Sequence, residues 1–406
     1  MRITAPGPEE RADLDHTDLA DVALYTSGDP HLAWQRLRAE QPLYWSERTG
    51  GPGFWSVTRH ADVKRVLRDH ENFTSECGTA LWQSGTPDPA AGRMMHGTDP
   101  PAHGRIRKPL GHELTTQAVL RYEPAARALI RAAVEPGEWD CAPAFSRLPM
   151  EILALVMGLP KADVDLLADL GYASIAPLDP HYRTGSERVT RLRAHHQLMA
   201  YFADEIGRPR EDGLIAHLQA ITVDGRPLTS EEVVLNCFSL LIGGVVTSGQ
   251  VVLATLIALA ERGGRVPAVA STATAVEEAL RWASPTTHFV RHARRDVEMY
   301  GRTIRAGEAV AAWIASANRD EREFAHPFTF DPARSPNRHI AFGSGSHRCI
   351  GSHLARFTLR LVFEEFIDRL DHIELTAPPT HLSSIEIAGV VSLPVHLKLR
   401  QAGRTA

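Results

Sequence analysis

Between Glu232 and Glu261 the chain carries no formal charge over 28 consecutive residues. A helix running from there to the glycines at 263 and 264 is roughly 50 Å long at 1.5 Å per residue, enough to cross a whole domain. A stretch of that length also satisfies the requirement for a bilayer span. Yet Asn236, Ser239, Thr247, Ser248, Gln250 and Thr255 lie within it, and charge-rich sequence flanks both ends. A helix apolar all round belongs equally to the interior of a large soluble protein. A capping box, Thr229 with Glu232 three residues on, opens the segment, and Gly263-Gly264 closes it. These are the boundaries of a soluble helix, and the segment is expected to form the central axis of the fold.

Two adjacent glycines, Gly243 and Gly244, sit inside this helix. Each costs about 1 kcal/mol relative to alanine, so something must offset them. Thr247 follows one turn later on roughly the same face. Either a flat ligand presses on this shaved patch beside a hydroxyl, or a neighbouring helix packs closely there; spacing alone leaves both open.

The rest of the chain reads as mainly α with a minor β region. Amphipathic patterns fall near 60–69, 115–134, 187–206 and 352–370, and strand-like runs near 53–58, 308–314 and 391–399. Residues 74–101, containing Pro, Gly and Ser, read as a long loop, and loops of that length carry function. Gly50, Gly51 and Gly53 precede a strand-like FWSV run, which marks a hairpin turn and not a phosphate cradle. No GxSxG elbow, P-loop, HExxH or GxGxxG pattern occurs.

With 406 residues, 43% apolar and 23% charged, the chain can bury a large core. Its net charge of -5 comes without a long basic run, which argues against nucleic acid and for a small-molecule partner. Cys77, Cys141, Cys237 and Cys349 are far apart and form no CxxC pair, against a disulfide framework or a structural zinc site and consistent with a reducing cytoplasm. The opening MRITAPGPEERADLDHTDLA has neither export nor anchor character, so residues 1–20 are expected to be an N-terminal tail with no membrane partner.

The strongest chemical signal is FGSGSHRCIG, Phe342 to Gly351, followed at once by the helical pattern SHLARFTLRLVFEEF. A cysteine at a helix N-terminus meets backbone N–H groups and the dipole, which lower a thiol pKa and favour the thiolate that a metal binds. Glycines at 343, 345 and 351 allow backbone to approach a bulky planar object. A buried structural cysteine in a Gly-rich turn is the alternative.

This decapeptide resembles the haem-binding loop of the cytochrome P450 family, with Phe342, Gly343, Cys349 and Gly351 in register. The resemblance implies a cytochrome P450 fold around the long helix, with Cys349 as the axial thiolate of a haem b iron. Further motifs follow the family order. Glu278 and Arg281 (EALR) resemble the ExxR pair that locks onto a downstream arginine, here Arg334, and so holds the haem loop. In DPPAHGRIRKPL, His103 and Arg107 match positions that meet the haem propionates, as do Arg291 (HFVRHA) and His347. Gly243-Gly244-Val245-Val246-Thr247 matches the oxygen-binding helix, but Val246 stands where the family carries an acid. Thr247, assisted by Ser248, is left to position water. The proton must then come from the substrate or ordered water, or the reaction departs from hydroxylation toward coupling, desaturation, nitration or peroxide-driven chemistry.

The resemblance runs from about residue 20 to the C-terminus, through ANRD at 317–320 and the VVSLPVHL run, which implies a single catalytic domain over 21–406. No attached reductase domain is expected. Electrons from NAD(P)H are expected through a ferredoxin or flavodoxin with its reductase, docking on a basic patch of Arg105, Lys108, Arg348, Arg356 and Arg360. By family position Leu81, Trp82, Met94, Met95, Ile242, Val246, Thr286, His288, Phe289 and Val390 are substrate-pocket candidates. The implied activity is O2-dependent oxidation of a small organic, secondary-metabolite substrate; the oligomeric state is left open. The competing classes are a haem sensor or carrier, and a cysteine-nucleophile transferase or hydrolase with His347 as base.

Overall fold

The computed structural model describes residues 12–14, 17–84, 88–210, 212–266 and 271–400. Its longer helices, in chain order, are α1 (Pro30–Glu40), α2 (His60–Arg68), α3 (Ala102–His112), α4 (Glu123–Ala132), α5 (Ala142–Met157), α6 (Val164–Ile175), α7 (Glu187–Ile206), α8 (Ser230–Val245), α9 (Thr247–Glu261), α10 (Thr272–Ala283) and α11 (Ser352–Arg369). Helix accounts for 48% and strand for 14%, which makes the fold mainly α with a minor β region.

The uncharged segment is helical throughout except at Val246, where φ -106° and ψ -42° interrupt the ladder and divide it into α8 and α9. The single unbroken helix expected from sequence is therefore two. The division coincides with a change of core. Residues of α8, from Val233 to Val245, pack with α5, α6 and α7, whereas Val251 to Leu259 of α9 pack with α5, α10 and α11. Over its most apolar window 67% of the segment is buried, as befits an interior axis.

The capping box forms as read. Thr229 Oγ1 accepts from Glu232 N at 3.2 Å, and Glu232 Oε2 accepts from Thr229 N at 2.7 Å. At the far end Gly264 adopts φ +74°, and a Cβ there would lie 2.2 Å from the Ile373 carbonyl oxygen, so only glycine fits. The polar residues inside the segment tie down neighbouring loops. Asn236 accepts from Met95 N at 2.9 Å and donates to Arg93 O at 3.1 Å, while Ser239 meets His96 Nδ1 at 2.7 Å. Gln250 accepts from Val390 N at 2.8 Å and donates to Val390 O at 3.1 Å.

A five-stranded sheet lies apart from this bundle. Its strands are β1 (Leu43–Ser46), β2 (Phe54–Val57), β3 (Phe73–Thr74), β4 (Phe289–Ala293) and β5 (Ala309–Ala312), in spatial order β1-β2-β5-β4-β3. The glycines at 50, 51 and 53 fall in the β1–β2 hairpin connection, and Gly53 has Trp45 where a Cβ would stand, 2.5 Å from its ring. The C-terminal run divides into Val390–Ser392, paired with Thr380–His381, and Pro394–Leu399, paired with Leu370–Leu375 and Gly137–Asp140. The helix expected over 115–134 is likewise broken: a short helix ends at Val119, a 3-10 turn follows, and Pro124 in the first turn of α4 starts a new helix. Within the expected N-terminal tail, Leu14 and Leu19 are buried with Tyr25 and Trp34; residues 1–11, 15 and 16 lie outside the described residues.

Candidate functional site

A cavity of about 1190 Å³ lies between α8–α9, the loop after β3, α7, β4 and the FGSGSHRCIG loop. Its floor is built by the cysteine loop. Gly343 and Gly345 take φ +71° and +78°, and a Cβ on Gly345 would sit 2.9 Å from Arg68 Cα, so this glycine serves to seat the loop on the end of α2. Cys349 N donates to Phe342 O at 2.8 Å, folding the loop back on itself. Helix α11 begins at Ser352, two residues after Ile350, with Gly351 as its N-cap. Cys349 is enclosed by protein, but its accessible face opens into the cavity. Burial pushes its thiol up, against the Gly351 N–H and the nearby Arg107, Arg348 and Arg356, which pull it down. The lowered pKa expected from the helix N-terminus is thus reversed, because desolvation of the anion outweighs these donors.

Across the cavity, Gly243, Gly244, Thr247 and Ser248 line the wall. The two glycines differ. A Cβ on Gly243 would meet nothing within 4 Å, so this position opens onto the cavity; one on Gly244 would be 3.0 Å from Leu153 Cδ2, so it is a packing glycine. Val246 is fully buried and is not among the lining residues, a correction to its placement at the pocket wall. The break in the ladder turns its side chain into the α8 core. No hydrogen bond engages the Thr247 or Ser248 hydroxyl among the described residues, which leaves both open to a ligand or water.

The rim carries a concentration of donors. His103, Arg107, Arg291 and His347 all line the cavity. The His103 and His347 rings are 4.2 Å apart, and Arg291, 4% exposed, has only its own neighbour's carbonyl, Val290 O, at 2.8 Å. His103 Nε2 is buried without a partner. Burial, then the neighbouring arginines, lowers His103 to about 4 and His347 to about 2, and burial lowers Arg291 to about 10. Two arginines and two neutral histidines converge where, among the described residues, Asp99 is the acid acting on them, and it is already bonded by Thr74, Ser75 and Arg294. Such a rim lacks an anion, and a ligand bearing carboxylates would relieve it. Among the described residues no cluster of three His, Cys, Asp or Glu could hold a bare metal ion. Together the lone sulfur, the space at Gly243 and the anion-deficient rim fit a flat, carboxylate-bearing macrocycle that brings its own metal.

The loop carrying Cys349 is held from behind. Glu278, fully buried, accepts from Arg281 Nε and Nη2, both at 2.8 Å, Arg334 Nε at 3.1 Å, Asn337 Nδ2 at 3.0 Å and Asp331 N at 2.8 Å. Arg281 in turn donates to Asn318 O, Pro327 O and Thr329 O. This ties α10 to the segment that leads into the cysteine loop.

Of the pocket candidates, Trp82, Met94, Met95, Ile242, Thr286, His288 and Phe289 line the cavity. Leu81 and Val390 do not. Leu81 is buried in the cluster with Trp34 and Trp313, and Val390 is turned away by its two backbone bonds to Gln250. The same segment presents Glu386 and Ile387 instead. The reading from sequence also missed Arg191 and His195 of α7, which line the cavity but sit in a charged helix with nothing to distinguish them from a solvated face. The basic patch is thinner than expected, since Arg105 pairs with Asp224, Arg356 with Glu277 and Arg360 with Glu123 and Glu364. Lys108 and Arg348 are exposed and have no such partner among the described residues.

Comparison with known proteins agrees with this geometry. The family model of cytochrome P450 matches residues 267–399. Cytochrome P450 NovI of Streptomyces niveus is 33% identical over 401 residues, covering 95% of this chain and 97% of that protein. Linalool 8-monooxygenase of Pseudomonas putida is 31% identical over 407 residues, covering 95% and 99%. Among solved structures, P450 OxyD, involved in the biosynthesis of vancomycin-type antibiotics, superposes with a TM-score of 0.81 at 32% identity, covering 94% of this chain and 100% of that one. The chain belongs to the cytochrome P450 family and is an oxidoreductase of the monooxygenase type. Haem and O2 are implied by that membership.

Proposed function

We propose that the protein is a soluble, cytoplasmic haem-thiolate monooxygenase that oxidises a small, largely apolar secondary metabolite. The single observation that carries this is that Cys349, Gly243 and Thr247 line one cavity together with His103, Arg107, Arg291 and His347. Cys349 would ligate the iron of a haem bound here, and the Gly351 N–H would temper its donor strength. His103, Arg107, Arg291 and His347 would hold its carboxylates. A haem bound here supplies the redox chemistry that activates O2.

Thr247 and Ser248 would hold water at the cavity wall for proton delivery; Val246, buried in the core, takes no part. With no acid at that place the proton enters through ordered water or a substrate hydroxyl. Electrons from NAD(P)H arrive through a ferredoxin or flavodoxin and its reductase, docking at Lys108 and Arg348. The transferase alternative loses its base, because His347 meets Ser75 and His103 and its neighbouring thiol is pushed up. Haem titration of the purified protein, followed by substrate-induced spin-shift screening, tests the reading. Stoichiometric uptake and apolar ligands that displace iron-bound water are expected; failure to take up haem overturns it.

A further inference from the structure

One part of the cavity wall carries charge that oxygen activation does not use. Glu386, between the paired segments Thr380–His381 and Val390–Ser392, lines the cavity with 17% of its side chain exposed. Among the described residues no N–H or O–H donates to its carboxyl, and Arg191 Nη2 stands off at 3.9 Å. Arg191 is already committed. Its Nη1 donates to Glu187 at 3.0 Å, its Nε donates to Ser174 O at 3.2 Å, and its guanidinium lies 4.5 Å from the Trp82 ring centre. Two carboxyls thus share one arginine. Burial, with Glu187 adding to it, holds the Glu386 carboxyl up at about 7 despite Arg191 and Arg48.

A second unpartnered acceptor belongs to the segment that pairs with the Glu386 backbone. Thr287 N donates to Glu386 O at 3.0 Å, which places His288 next to the Glu386 segment. The Thr287 hydroxyl donates its one proton to the Ile385 carbonyl. His288 Nδ1, 2.9 Å from the same oxygen, must therefore carry the proton in that contact. Burial keeps this histidine neutral, lowered to about 3, so Nε2 is a bare acceptor; it is buried and has no partner. His288 also lines the cavity.

We propose that Glu386, with His288 on the segment paired to it, recognises a cationic nitrogen of the substrate, so that the enzyme acts on molecules joining an amine or similar cation to an apolar body. This rests on the reading of the cavity as the haem-bearing active site. The nearest cation, Arg191, is largely committed to Glu187, Ser174 O and Trp82, and Arg48 gives one nitrogen to Leu81 O at 2.6 Å, so neither is placed to neutralise the Glu386 carboxyl by a hydrogen bond. An enclosed carboxylate with no hydrogen bond is costly, and an incoming cation removes that cost while the apolar wall takes up the remainder of the ligand.

The test titrates the haem-loaded protein with decylguanidinium, decanoate and decanol below their aggregation concentrations. Guanidinium has no free lone pair for the iron, so its binding is read as displacement of iron-bound water in the Soret band, and in parallel by calorimetry. Decylguanidinium is expected to bind at least about tenfold more tightly than decanoate. Glu386→Gln should reduce that preference to within about threefold, whereas Glu386→Asp keeps most of it, both with unchanged CO difference spectra as the check on folding. The proposal is overturned if decanoate binds as tightly as the cation, or if the preference survives in Glu386→Gln. Absence of a Soret band would sink the haem reading alone, since the calorimetric preference is measured without it.

Discussion

Replacing Glu278 by alanine removes the acceptor of five hydrogen bonds at a fully buried point and leaves Arg281, also fully buried, without its counter-charge. Three backbone carbonyls still accept from Arg281, but they carry no full charge, and the neighbouring Arg319 is a second buried cation. Breaking one partner out of a buried pair costs about 3–5 kcal/mol. Against a total stability of about 5–15 kcal/mol this is about a fifth or more. With a urea dependence of about 3 kcal/mol per molar, the unfolding midpoint followed by far-UV circular dichroism should fall by about 1 M or more. Glu278→Gln, which keeps the shape and some acceptor capacity, should fall less. Because Asp331 N and Asn337 lose their anchor together, the alanine variant should also release haem at lower urea than it unfolds. A midpoint shift below about 0.3 M would refute the idea that this carboxylate is the electrostatic keystone of the cysteine loop.

Three further outcomes follow from the same structure. Gly249→Ala, whose Cβ would lie 2.3 Å from the Phe145 carbonyl oxygen, should lower stability by about 1–3 kcal/mol in thermal melts, while Gly243→Ala, with nothing within 4 Å, should hold or gain up to about 1 kcal/mol; equal effects at the two sites would contradict the division of roles. Burial pushes the Glu277 carboxyl up, but hydrogen bonds from Arg356 and His339 outweigh it and hold it down at about 2 instead of 4.5. Its contribution is therefore fully present above pH 4.5 and lost as pH falls through about 2, so the gap between wild type and Glu277→Gln should close over that window; a gap independent of pH would show the pair to be idle. Reversing Lys108 and Arg348 to Glu should slow reduction by an acidic ferredoxin at least about tenfold at low salt without loss of haem, and unchanged rates would remove the docking face.

Local signals with strict geometric demands were legible in the sequence. The capping box at Thr229 and Glu232 and the glycine stop at Gly264 are each set within one turn, and each forms; the contact of Glu278 with Arg281 and the distant Arg334, legible only through the family resemblance, forms as well. What escaped was set by tertiary context. The interruption at Val246 marks where one core gives way to another, and no residue in a uniformly apolar run announces that boundary. Gly249, which lets α9 approach the backbone of α5, is more constrained than the conspicuous Gly243-Gly244 pair but stands alone in sequence. The direction of the Cys349 shift depended on how deeply the loop is enclosed, and that is not a property of ten residues. Glu386 and Arg191 lie 195 positions apart and become a pair only through the fold.

The account rests on the sulfur of Cys349, and the CO difference spectrum of the reduced, haem-loaded protein tests it most directly. The long-wavelength band of thiolate ligation should appear in the wild type and in Cys77→Ala, Cys141→Ala and Cys237→Ala, and should vanish in Cys349→Ala. Persistence of that band without Cys349, or a wild-type protein that takes up no haem, would contradict the assignment.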